Sequence, residues 1–233
     1  MLVMEPKPPN DSDRSHAIKR IVEMGIAAIP VVGGPLQISF QEAAGRKLAE
    51  RREKWFAGLV PRLAELEERF GDFAHLADED AFFDAVMRAT RIADQTSRQE
   101  KLEALRNAVI NSVAPGAPDA DRQQLHFDLI DQLTPTHFRM LHLLNDPSGW
   151  FDDRPELTRP QFGMSSSRPT LIEHAMPDLA VQGREVMERY YGLLGSGGLV
   201  NASLGGMMTA QGAWQAITTN FGREFLAFIQ NPG

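Results

Sequence analysis

The stretch that decides the fold is GLVNASLGGMMTAQGAWQAITTNFGREFLAFIQ, Gly198 to Gln230. It holds two short β-prone pieces, around Leu199–Asn201 and Trp214–Thr218. A turn rich in Gly and Ala separates them, and a final helical run, NFGREFLAFIQ, closes the chain. Every strong periodicity upstream of it is helical. The sequence therefore predicts a mainly α fold with one short β-hairpin near its end.

Working backwards, PDLAVQGREVMERYYGLLGSGG reads as one longer helix closed by glycines, and residues 169–176 as a short one. Pro147 to Arg168 reads as a loop rich in Pro, Ser and Arg. Thr134 is an expected N-cap with Pro135 at the first helical position, opening TPTHFRMLHLLND, and DRQQLHFDLIDQL precedes it as a helix. Helix, helix, helix, short hairpin is the order of a winged-helix module. APGAPDAD, Ala114 to Asp121, concentrates Pro, Gly and Asp between two helical runs and marks a boundary.

Before that boundary, Ile18, Ile21, Val22, Ile26 and Ile29 fall at helical spacing until Pro30. A long pattern begins near Leu36, with Phe40, Leu48, Trp55, Leu59, Leu63, Leu66 and Phe70, and Pro61 is a point for a kink. DEDAFFDAVMRATRIADQ opens on acidic residues that suit a helix start, and Ser97 with Glu100 has the spacing of a capping box. The expected organisation is a mobile tail over 1–10, a helical domain over 11–114, a linker over 115–120 and a winged-helix-like domain over 121–233.

The totals narrow the function classes. The 233 residues contain no cysteine, so neither a disulfide framework nor a thiolate zinc site is available. The net charge is −7, and neither side of residue 120 is basic: 16 Lys and Arg against 19 Asp and Glu before it, 8 against 12 after it. Proteins that live by neutralising phosphates usually present a basic surface, so charge disfavours nucleic acid as a partner. MLVMEPKPPNDSDRSH lacks the basic start, apolar run and cleavage site of a signal peptide, and a cytoplasmic location is expected.

Several motifs invite chemistry. AAIPVVGGPLQ, Ala27 to Gln37, has the glycines of a phosphate loop but no Lys or Ser/Thr after them. It reads as a bend at Pro30, Val31, Val32, Gly33, Gly34 and Pro35 joining two helices, and alternatively as a contact with a membrane surface. The cluster GRKLAERREKW sets Arg46, Lys47, Arg51, Arg52 and Lys54 against Glu50 and Glu53. At helical spacing these form a solvated face laced with ion pairs, or a contact for an anionic or acidic partner. His137 and His142 lie five residues apart, about 140° around a helix, so they do not share a metal, and no HxxxH or HExxH pair exists. SSS at 165–167 lacks a nucleophile elbow. With Arg159 and Arg168 nearby, it is a loop that could hold an anion. No catalytic residues, metal or cofactor are expected, and the reading is not an enzyme.

LIDQLTPTHFRMLHLLNDP, Leu129 to Pro147, resembles a segment of the bacterial abortive-infection alpha family, a domain of unknown function. ITTNFGREFLAFI, Ile217 to Ile229, resembles the ending found there and in many winged-helix proteins. The resemblance implies a bacterial or prophage protein acting in defence against phage and gives no mechanism; the chain itself is read as working by binding, to a protein partner or to itself. It supplies no catalytic residues. The alternative is a winged-helix DNA-binding regulator whose recognition helix spans about 178–194, with Arg184 and Arg189 on DNA. A membrane-active toxin is the minor alternative.

Overall fold

The computed structural model describes residues 37–70, 80–162, 166–201, 204–206 and 208–231. The side chains of 37–43 and 66–70 are outside that description, as is the bend at 30–35. The described residues are mainly helical, with eleven helices and almost no strand. The chain divides into two compact units, residues 1–127 with 231–233, and residues 128–230. The division falls inside a helix, Ala120–Gln132, rather than at the Pro/Gly stretch.

The first unit rests on three helices: α1 (Gln37–Phe70), α2 (Asp80–Gln95) and α3 (Gln99–Asn111). α1 runs unbroken through Pro61 and buries Trp55, Phe56, Leu59 and Leu63 along one stripe. α2 answers with Phe82, Ala85, Val86, Ala89, Ile92 and Ala93, where the alanines let backbones approach. α3 buries the run Ala104 to Ile110. The expected Ser97–Glu100 box does not form. Helix α3 starts one residue later, with Arg98 as N-cap, and the Thr96 hydroxyl accepts the Arg98 N–H. At the end of α3 the chain turns through Gly116, whose φ of +84° suits glycine. The Gln123 side chain of α4 (Ala120–Gln132) then donates to the carbonyls of Ser112 and Pro118, at 2.9 and 2.8 Å.

The second unit holds α5 (Pro135–Asn145), α6 (Pro147–Asp152), α7 (Arg168–Ala175), α8 (Pro177–Ala180), α9 (Arg184–Ser196), α10 (Ala210–Ala213) and α11 (Asn220–Ile229). Thr134 and Pro135 open α5 as the sequence indicates. The Nδ1 atom of His137 accepts the Thr134 N–H at 3.0 Å. Part of the expected loop after Pro147 is helical. Asp146 caps α6 by accepting the Gly149 N–H at 2.9 Å, and Trp150 and Phe151 are buried. The single helix expected over 177–198 is two. Gly183 sits at φ +95°, which ends α8 and resets the direction of α9. The two β-prone pieces do not build strands. Val200 and Thr218 form one isolated antiparallel bridge, and Trp214 is the C-cap of α10. A second bridge joins Ser166 to Met208.

The closing motif TTNFG has a mechanical reason. The Thr219 hydroxyl caps α11 by accepting the Gly222 N–H at 2.9 Å and donates to the Gly198 carbonyl at 2.7 Å. A β-carbon on Gly222 would stand 2.2 Å from the Leu199 carbonyl oxygen and 2.7 Å from the Thr218 methyl. Only a residue without a side chain lets α11 close on the Leu199 segment. Phe225 then fills the core against Phe138. Gly192 on α9, by contrast, faces open space. Gly222→Ala is expected to lower the unfolding free energy by about 3 kcal/mol in urea denaturation. Gly192→Ala should raise it by roughly 0.5–1 kcal/mol. Equal small effects would contradict the close approach.

Two titrations in this unit carry a sign. Burial first, and the Arg154 charge second, hold the His142 imidazole below its ordinary 6.5. The unfolded chain then binds the proton more readily, so stability is complete above about 6.5 and falls as the pH drops below it. For Asp178 the Arg139 hydrogen bond is the main cause of a lowered pKa, and its contribution is lost only as pH falls below about 3.8. Urea midpoints measured between pH 5 and 7 should therefore fall toward pH 5, and His142→Asn should flatten that slope. An unchanged slope in the variant would assign it elsewhere.

Candidate functional site

The cationic cluster of α1 divides in two. Arg52 turns inward, its side chain only 10% exposed, and grips Asp94 of α2. Its Nε donates at 3.1 and 3.0 Å to the two carboxylate oxygens, and its Nη2 donates at 2.7 Å. A bidentate fork of this kind is among the stronger polar contacts a protein makes. Next to it, Trp55 Nε1 donates to the Thr90 hydroxyl at 3.1 Å. Arg51 donates to the Asp94 backbone carbonyl at 2.9 Å. Arg46, Lys47 and Lys54 are exposed. Lys47 and Lys54, seven residues apart, share the side of α1 turned away from the Trp55–Leu63 stripe. Helical spacing puts Arg52 on the buried stripe, four residues after Leu48 and three before Trp55, a signal the sequence reading passed over. Its partner lies 42 residues away.

Further along α1, Arg62 bonds Asn107 and meets Glu103 at 2.5 Å, and the same Glu103 receives Arg106 at 2.6 Å. Arg106 lies over the Trp55 ring at 5.5 Å. Besides Phe56, Leu59 and Leu63 packed inside, the unit leaves Leu125 of α4 outside, 54% exposed, and also Phe83 and Met87. The last two stand one turn apart on α2, each 38% exposed.

In the second unit Arg184 and Arg189 both lie exposed on α9. Arg184 pairs with Glu188 at 3.1 Å, within one helical turn. Arg139 clamps Asp178 with two bonds of 2.8 and 2.7 Å, tying α5 to α8. An aromatic group missed by the sequence reading gathers around α10. Phe151 meets the Trp214 ring edge-on at 5.6 Å, and Phe162 meets it at 5.8 Å. Arg159 lies 5.7 Å above Trp214 and bonds Asp152 at 2.5 Å, while Arg154 stacks on Trp150 at 3.6 Å. The serines of the loop have structural work: Ser166 sits in the bridge with Met208, and Ser167 caps α7. Arg168, the first residue of α7, is buried, 6% exposed. Burial holds its pKa below the ordinary value, and the nearby Tyr191 phenol opposes that.

The histidines scatter. His126 and His137 are buried, His142 is half-buried and His174 is exposed. His16 and His75 lie outside the described residues. Among the described residues no group of His, Asp and Glu is placed to hold a metal ion, and no helix is long and apolar enough to cross a membrane. No protein-family model matches the chain, and no curated protein or solved structure shows a significant similarity to it.

Proposed function

We propose that this chain works by binding a protein partner rather than by catalysis. The resemblance of 129–147 and 217–229 to abortive-infection segments supports bacterial defence against phage as the context of that binding. The observation that supports the reading is the surface of the first unit. Phe83 and Met87 stand exposed one turn apart, in the same unit as the outward-facing Arg46, Lys47 and Lys54. Phe, Met and Arg are enriched in protein interfaces, and the exposed cations of the same unit favour an acidic partner.

The test is phage plating on a bacterial host expressing the chain. The wild type should cut plating of at least one phage in a panel by about tenfold or more, and Phe83→Glu with Met87→Glu should restore plaques. The doubly substituted protein should keep its melting temperature within a few degrees, because both side chains are already half in water. A folded, expressed wild type that protects against no phage would remove the defence reading.

A second reading, a winged-helix DNA-binding regulator, has one observation in its favour. Helices α5, α7 and α9, with the short α6 and α8 between them, precede the Val200–Thr218 bridge, which encloses α10 and stands in place of a hairpin, and α11 follows. In that reading α9 is the recognition helix and begins at Arg184. Two facts weigh against it. Residues 128–230 carry seven arginines and no lysine against eleven acidic residues, and Arg184 already holds Glu188. If it is right, duplex DNA binds at low salt, the affinity falls steeply as salt rises, and Arg184→Ala weakens it. Undetectable binding at low salt would eliminate it.

A further inference from the structure

We propose that Arg168 forms one wall of a binding site for a phosphate group on a small molecule. The inference goes beyond the protein-binding reading and does not depend on it. A guanidinium removed from water carries a large cost unless an anion answers it. The other well-buried guanidiniums of the described residues have that answer, Arg52 in Asp94 and Arg106 in Glu103. Arg168 does not. Its Nε is buried with no acceptor, and its Nη1 reaches only the Gln215 carbonyl, at a long 3.3 Å. No carboxylate among the described residues comes within ion-pairing distance of it. Its Nη2 has no hydrogen-bond partner among the described residues, and Arg168 as a whole keeps 6% exposure.

Among the described residues the surroundings hold no anionic carboxylate, and only the Gln215 carbonyl and the Tyr191 phenol ease the charge. Arg168 is the first residue of α7, an eight-residue helix whose N-terminus carries a partial positive charge. Ser167 is already occupied, accepting from the Thr170 N–H and bonded to its hydroxyl at 2.9 Å. On the other side stand the Tyr191 phenol of α9 and the backbone at Gln215. A planar guanidinium with unanswered donors matches the oxygens of a phosphate. The acidic balance of residues 128–230 repels a polyanion at long range, so the local site suits a small phosphate compound better than a nucleic-acid backbone.

The test follows the side-chain Nε–H resonance of Arg168 by NMR while inorganic phosphate replaces chloride at constant ionic strength. The Arg168 signal should move in a saturable way within tens of millimolar phosphate. At ten times the dissociation constant the melting temperature should rise by roughly 3–6 °C, and Arg168→Met should abolish that rise. A static Arg168 signal in the wild type overturns the proposal, and so does an equal rise in the variant. A parallel titration with a short DNA duplex separates the sources. A weaker response than to phosphate supports a small ligand, and a stronger, steeply salt-dependent one overturns that assignment in favour of a phosphodiester backbone.

Discussion

A guanidinium that leaves water must be met by an anion, and much of this molecule can be read as answers to that demand. Arg52 enters the core beside Trp55 because Asp94 is there to receive it with both oxygens. Glu103 serves Arg62 and Arg106 together. Arg139 and Asp178 hold α5 and α8 in the same manner nearer the surface. The Arg52–Asp94, Arg62–Glu103 and Arg139–Asp178 pairs each fix one helix against another at a set height along its axis, which apolar side chains alone leave loosely defined. Removing one partner of a buried pair costs far more than removing an exposed one, because the survivor remains dehydrated.

The same constraint separates structure from function. Cations that have been answered are parts of the scaffold. Arg46, Lys47 and Lys54 are among the cations left exposed, and the proposed function assigns them to the surface that meets a partner. Arg168 is the exception, buried and unanswered within the described residues. The apolar ledger has a comparable remainder in Phe83 and Met87, which α2 leaves in solvent although its other face is packed.

How much of this was legible in the sequence depended on range. Helix periodicity is local, so α1, α2, α3 and α5 were readable from the spacing of Trp55, Leu59, Phe82 or Leu141, and Thr134–Pro135 from capping chemistry. The break at Gly183 was visible as a glycine, but nothing local distinguishes it from the other glycines that stay helical, such as Gly192. The β-prone pieces around Leu199 and Trp214 were chosen for propensity, yet Trp214 is held by Phe151 and Phe162 as the end of a helical turn. The grip of Arg52 on Asp94 and the burial of Arg168 were not legible, because both arise between segments more than 40 residues apart. The bend at Pro30–Pro35 lies outside the described residues.

The most direct measurement is a double-mutant cycle on Arg52 and Asp94 by urea denaturation, with the exposed Arg184–Glu188 pair treated alike. If buried guanidiniums are the fixed points of the scaffold, the Arg52–Asp94 coupling should exceed about 2 kcal/mol. The Arg184–Glu188 coupling should stay near 0.3–0.5 kcal/mol, roughly the value of an exposed pair within one helix. Equal, small couplings in both pairs would contradict the division of charges into scaffold and surface.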